Sequence, residues 1–173
     1  MSYLVASIAL ILAIWVGIGI YRTIQWRKSL SNLDLGGVRL WLDRLIEVRE
    51  PKAYLIFEEM GAPQRFVQFR REVGPAGATL TCHFPNAPWS RAYVTRLRQV
   101  LDAKTVSYSE ISARSDEPVT GFVSIENLDA SSGTHLVDVI FHDVFECTSV
   151  NVRLWGYGVR GDIPSGAVRH RIE

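Results

Sequence analysis

The amino-acid sequence predicts an α+β fold in which one N-terminal transmembrane helix precedes a cytoplasmic domain. That domain is predicted to consist of an antiparallel sheet of about five strands packed against about three helices. An uncharged apolar run occupies residues 3–20, and the segments rich in β-branched and aromatic residues come in blocks. Segments with apolar residues at helical spacing fall between those blocks. Strands in blocks, with helices between the blocks, are typical of α+β domains whose sheet is covered on one face.

The apolar run YLVASIALILAIWVGIGI contains no charged residue and no proline. At 1.5 Å per residue it is roughly 27 Å long, so with its flanks it can cross a bilayer core of about 30 Å. A cleaved signal peptide would need basic residues before the run and a small-residue cleavage site after it, and the sequence has neither. A buried core helix is the other alternative. We predict a membrane anchor over residues 1–28.

The residues that flank the run predict its orientation. Arg22, Arg27 and Lys28 follow it, and no Lys or Arg precedes it. The positive-inside rule therefore places the N-terminus outside and the C-terminal domain in the cytoplasm, with the chain crossing the inner (plasma) membrane once. The same basic residues favour anionic lipid head groups, and Tyr21 and Trp26 suit the membrane interface.

Small residues recur every four positions in the run, at Ala9, Ala13 and Gly17. Such a stripe lets another helix approach closely, which predicts packing against an integral membrane protein or a second copy of this chain. The run has no His, Asp, Glu, Lys or Arg, so it offers neither a charged proton relay nor an imidazole ligand for haem.

The composition limits the remaining classes. The chain has 173 residues and a formal net charge of +1, which shows no bias toward nucleic acid. Cys82 and Cys147 form no disulfide framework and predict free thiols in a reducing compartment, a single bridge between them being the alternative. We divide the chain into the anchor, a linker at 29–37, an α+β domain at 38–160 and a flexible tail at 161–173.

Within the domain, apolar spacing predicts a first helix that starts near Val38 and ends before Pro51. Three strands of a meander follow at 54–59, 65–73 and 79–84, joined by turns that contain Gly and Pro. Asn86 is predicted to cap a second helix, with Pro88 in its first turn.

Two more strands are predicted at 105–112 and 121–128. The third helix is predicted to begin at Ser131. The segment VRLWGYGV, residues 152–159, is compatible with a short last strand or with an apolar arm.

This element order, together with the strand Arg65-Phe66-Val67-Gln68-Phe69, resembles the small α+β domain shared by type III secretion chaperones and YbjN-type proteins. The resemblance covers about residues 35–154. It implies a protein-binding fold, often dimeric, with no catalytic residues to carry over. The chain departs from that pattern by its predicted membrane anchor and by the absence of a strongly acidic surface, which argues against a client-escort role.

Catalytic patterns are weak. His135, Asp138 and His142 have a spacing that can hold a metal, but a solvated polar helix face explains them better. Cys82 and His83 are adjacent on a strand, so their side chains point to opposite faces. No phosphate-binding loop and no Gly-x-Ser-x-Gly motif is present. We predict no catalytic, cofactor-binding or metal-binding residues, no enzymatic activity and no small-molecule substrate.

The remaining candidate site is a protein interface at Trp155, Tyr157 and Arg160, because Trp and Tyr are enriched where proteins bind proteins. The alternative is that Trp155 covers the open side of its own sheet. The sequence thus predicts a non-catalytic accessory, scaffold or assembly subunit of a membrane complex. A membrane-tethered chaperone-like module that binds client peptides is the alternative, and a metal-dependent enzyme is the third possibility.

Overall fold

The computed structural model describes residues 33–75, 77–112 and 121–159. The predicted anchor, Arg160 and the tail at 161–173 lie outside these residues. Among the residues that are described, no helix is both long and apolar enough to cross a membrane. The elements are α1 (Leu35–Glu47), β1 (Tyr54–Glu59), β2 (Phe66–Gly74), β3 (Gly77–Asn86), a 3₁₀ helix (Pro88–Ser90), α2 (Arg91–Ala103), β4 (Ser109–Ser112), β5 (Gly121–Leu128), α3 (Ala130–Val139), a π-helical turn (Ile140–Val144) and β6 (Val152–Tyr157).

The strands form one six-stranded antiparallel sheet in the order β4-β5-β3-β2-β1-β6. This confirms the predicted α+β class and the β1-β2-β3 meander. The sheet has one strand more than the five predicted. The segment at residues 152–159, which was compatible with a strand or an arm, contains the strand β6. β6 pairs with β1, and Trp155 lies opposite Ile56.

Alternation along the strands places one set of apolar side chains under the helices. Leu55 on β1 lies opposite Phe69 on β2, and Phe69 lies opposite Cys82 on β3. All three are 1% exposed or less and belong to one core cluster with the buried sides of the helices. A Cβ atom at Gly133 of α3 would lie 3.0 Å from Leu42 of α1 and 3.3 Å from Phe69. The glycine therefore lets α3 pack closely against both α1 and the sheet.

The helices begin at residues that differ from the prediction. α1 begins at Leu35, inside the predicted linker, because the Asp34 side chain accepts a 2.9 Å hydrogen bond from the Gly37 N–H. The prediction that Asn86 caps the second helix is wrong, since Asn86 ends β3 and the N-cap of α2 is Ser90. Ser90 is buried, and its hydroxyl accepts from the Ala87 N–H and donates to the Pro85 carbonyl.

α3 begins one residue earlier than predicted, at Ala130, and its start is set by a capping box. The Asp129 carboxylate accepts from the Ser132 N–H at 2.7 Å, and the Ser132 hydroxyl accepts from the Asp129 N–H at 3.0 Å. The hydrogen bonds from Ser132 lower the pKa of the Asp129 carboxyl. A carboxyl group whose pKa is lower in the folded state than in the unfolded state stabilises the fold while it is ionised. The contribution of the cap is therefore lost as the pH falls toward and below the ordinary carboxyl pKa of about 3.8.

Replacing Asp129→Ala should lower the free energy of unfolding by about 1 kcal/mol, because the first turn of α3 loses its side-chain acceptor. Asp129→Asn is the matched control, since an amide oxygen can still accept from the Ser132 N–H and should retain most of the stability. Denaturant unfolding of the full-length chain in mild detergent at neutral pH measures both. Equal loss in the two variants would contradict the capping role.

Candidate functional site: the open face of the sheet

The side of the sheet that faces away from α1, α2 and α3 carries the second set of alternate side chains, and we call it the open face. Its middle row crosses all six strands in register, because each member lies opposite the next. The row consists of Trp155, Ile56, Gln68, His83, Ser124 and Ser109. Every described α-helix contributes to the core on the other face. Within the row Ser109 is exposed, Ser124 is fully buried and the other four side chains are half-buried.

Aromatic side chains form one corner of the open face, where β1 meets β6. The rings of Tyr54 and Tyr157 stack with centroids 6.1 Å apart, and Tyr157 is 50% exposed. The Trp155 indole N–H donates a 3.1 Å hydrogen bond to the Glu58 carboxylate. The Arg153 guanidinium lies 3.6 Å from the same carboxylate and 5.8 Å from the centroid of the Trp155 ring. The corner therefore combines flat aromatic surface with an oriented ion pair.

A row of apolar side chains lies toward the opposite end of the strands. Pro85 on β3 pairs with Phe122 on β5, and Phe122 pairs with Ile111 on β4. Phe66 on β2 shares this face, and its ring centroid lies 5.9 Å from that of Trp89. Ile111 is 45% exposed and Trp89 is 38% exposed. Pro85 in the middle of the row is buried, and Phe66 and Phe122 are half-buried. The exposed apolar side chains at the two ends are of the kind found at interaction sites.

His83 lies near the centre of the open face and joins the two regions. Its Nδ1 shares a 2.9 Å hydrogen bond with the Ser124 hydroxyl, and its ring packs edge-to-face against Phe122 at 5.7 Å. Burial lowers the pKa of His83, the positive charge of Arg70 acts in the same direction, and the charge of Glu126 opposes them. The neutral imidazole therefore predominates at neutral pH. The centre of the open face is then uncharged, and charged groups lie only at its rim.

The structure brings together two of the three residues predicted for a protein interface. Trp155 and Tyr157 lie on β6 and both belong to the aromatic corner, whereas Arg160 lies outside the described residues. Sequence reasoning missed Phe66, Phe122 and Ile111 as surface residues. The positions of Phe66 and Phe122 could have been found from the period of two along each strand, since they are next to the core residues Val67 and Val123. Ile111 could not have been found in this way, because all four residues of β4 are exposed.

The His135, Asp138 and His142 stripe is only partly assembled. His142 Nδ1 lies 2.8 Å from an Asp138 carboxylate oxygen and 3.2 Å from the Asp138 carbonyl oxygen, which is an i,i+4 pair on an exposed surface. His135 is exposed. Within the described ranges, no group of three or more His, Cys, Asp and Glu side chains is close enough to hold a metal ion.

Both cysteines are free thiols in inert surroundings. Cys82 is fully buried, and this burial raises its pKa far above the ordinary value. Burial, followed by the charge of Glu59, raises the pKa of Cys147 to about 11. Nearby, Arg65 donates to Glu59 at 3.0 Å and to the Tyr93 hydroxyl at 3.1 Å, and these two bonds raise the pKa of Arg65. This cluster ties the β1–β2 turn to α2, and neither thiol has the lowered pKa of a nucleophile.

Lowering the pH should destabilise the fold through His83. A histidine whose pKa is lower in the folded state than in the unfolded state favours folding above the unfolded value of about 6.5, and this contribution is lost as the pH falls below it. Denaturant midpoints at pH 5.0 and pH 7.5 should therefore differ more for the wild-type chain than for His83→Gln. His135→Gln is the matched control, because His135 is exposed on α3. Equal pH dependence in wild type and His83→Gln would contradict this assignment.

Comparison with family models, with curated proteins and with solved structures gives no match to this chain. A functional proposal therefore has to be supported by the chain's own residues and geometry.

Proposed function

We propose that this protein is a non-catalytic, single-pass membrane protein that acts as an accessory, scaffold or assembly subunit of a larger membrane complex. Residues 3–20 anchor it and pack on a partner helix through Ala9, Ala13 and Gly17. The cytoplasmic domain binds the same partner protein through the open face. The observation that carries the proposal is that the described helices cover one face of the sheet and leave an aromatic and apolar face opposite them.

The chemistry of the open face supports a protein as the partner. Aromatic side chains with a polar group at one end, such as Trp155 and Tyr157, supply much of the binding energy at protein interfaces. The Arg153–Glu58 pair sits beside them and can fix the orientation of a docked surface through charge. A nucleic acid would need a basic surface, and here acidic and basic groups lie side by side.

An anchored domain has an energetic advantage in such a role. Two modest contacts on one chain, a helix in the bilayer and a sheet face beside it, act together because the second contact forms within the same complex. Each contact can then be weak by itself. This favours a constitutive subunit over a protein that finds its partner by diffusion in the cytoplasm.

Gentle detergent extraction of the full-length chain, followed by identification of co-purifying proteins, tests the open face. Ile111→Asp places a charge in the apolar row and should reduce recovery of the partner by at least about tenfold, a change of about 1.4 kcal/mol. Val73→Asp is the matched control: Val73 is 66% exposed, but it lies at the β2–β3 hairpin end on the other face. Its partner recovery should stay at the wild-type level.

The identity of what co-purifies separates the alternatives. One stoichiometric membrane protein supports the accessory-subunit role. Co-purification of unstructured segments from several proteins, with loss of these segments in Ile111→Asp, would instead support the chaperone-like function. Full recovery of the partner with both Ile111→Asp and Val73→Asp would show that the open face does not bind it.

The membrane helix is tested by Ala13→Leu combined with Gly17→Leu. Bulky side chains on the small-residue stripe should prevent close helix packing and release the partner, while the chain stays in the membrane fraction and the domain stays folded. Gly19→Leu, on the other side of the predicted helix, is the control and should retain the partner. Retention with the double variant, or recovery of the wild-type chain outside the membrane fraction, would contradict the anchor's role.

A further inference from the structure

The chain enters the described domain at one end of the sheet, which we call the entry end. Leu33 forms an antiparallel bridge with Val152, and each N–H donates to the carbonyl of the other residue at 3.1 Å. Val152 starts β6, and every pairing in the sheet is antiparallel. The entry end therefore also holds the end of β1, the start of β2, the end of β3, the start of β5 and the end of β4.

Two exposed apolar side chains lie at the entry end. Met60 directly follows β1, is 36% exposed, and its N–H donates a 3.4 Å hydrogen bond to the carbonyl of Asn151, the residue before β6. Trp89 lies in the 3₁₀ turn beyond β3 and is exposed. The loops that hold them, residues 60–64 and 87–90, contain no charged residue. A thioether and an indole ring are therefore available to an apolar surface at this end.

The charged groups around these loops suit a lipid surface. Glu59, the last residue of β1, is paired with Arg65 at 3.0 Å, so its carboxylate is already neutralised within the domain. Arg91 follows Trp89 by two residues and is exposed. Indole rings are enriched at the bilayer interface, and a basic group near the surface attracts anionic head groups.

The length of the connection to the proposed anchor favours the bilayer over a protein as the occupant. Lys28, the last basic residue of the predicted flank, lies five residues before Leu33. Five residues reach at most roughly 18 Å when fully extended, so Leu33 lies within that distance of Lys28. The other end of the sheet is farther away, because Val73 lies seven residues along β2 from Phe66, roughly 23 Å at 3.3 Å per residue.

We propose that Met60 and Trp89 insert into the head-group region of the bilayer that holds the anchor, with Arg91 beside anionic head groups. This inference rests on the proposed function, because it requires the membrane anchor. The contact holds the entry end on the membrane and turns the open face sideways. A partner that spans the same membrane can then reach Ile111 on that face.

A polarity-sensitive fluorophore on a single cysteine tests the contact. Met60→Cys and Val73→Cys, each in a Cys147→Ser background, are labelled in the full-length chain and reconstituted into vesicles of phosphatidylcholine with a minority of phosphatidylglycerol. Cys82 is fully buried and stays unlabelled. A quencher carried on the lipid just below the head group should quench the probe at position 60 at least about twofold more than the probe at position 73, which lies roughly 23 Å farther along the sheet.

A second substitution tests whether the indole holds this end on the membrane. Trp89→Asp in the Met60→Cys chain replaces the ring with a carboxylate that anionic lipid repels, so quenching at position 60 should fall toward the level at position 73. Val73→Asp in the same chain is the matched control and should leave quenching unchanged. Denaturant unfolding checks that both variants fold. The comparison of positions 60 and 73 uses neither variant, so it decides the inference even if Trp89→Asp unfolds the domain.

The outcomes separate this inference from the proposed function. Flotation of the labelled chain with the vesicles tests the anchor, and a chain that does not float would contradict both. A chain that floats but shows equal quenching at positions 60 and 73, or stronger quenching at 73, would overturn the lipid contact and leave the anchor standing. Shielding of position 60 that grows with the protein-to-lipid ratio, without quenching by the lipid, would assign this end to a second copy and overturn the lipid contact as well.

Discussion

The register between β1, β2 and β3 is the constraint on which the rest of the molecule depends. It aligns Leu55, Phe69 and Cys82 across three strands and so produces a continuous apolar surface on which the helices pack. Since the side-chain period of a strand is two, a slip of one residue would exchange the two faces and place Gln68 and His83 under the helices. The core and the open face are therefore two results of one pairing, and selection on either constrains the other.

Local patterns were enough to predict much of this arrangement. β1 and β5 have the bounds expected from their aromatic and β-branched runs, and the meander follows from short turns that contain Gly and Pro. The starts of the helices were harder to place, because a single side-chain hydrogen bond decides them. Asp34 and Asp129 cap helices that open with glycine or small residues, where apolar spacing is weak. Trp89 lies in the 3₁₀ turn that precedes α2 and packs on Phe66.

The candidate site was less predictable than the fold. Trp155 and Tyr157 were predicted as interface residues because Trp and Tyr are enriched where proteins bind proteins. Phe66, Phe122 and Ile111 were not, since an apolar residue in a strand is assigned to the core until the pairing shows which way it points. The pairing of β6 with β1 could not be inferred from local sequence at all.

The β1–β6 pairing also has a consequence for biosynthesis. The Trp155 indole bonds to Glu58 across 97 residues of sequence, so β1 leaves the ribosome long before the strand that completes its hydrogen bonds. During that interval the nascent domain exposes one side of an aromatic strand, and closing so long a loop is entropically expensive and slow. A growing polypeptide in this state is prone to off-pathway association. The domain is therefore most exposed to such association while the residues between these two strands are being translated.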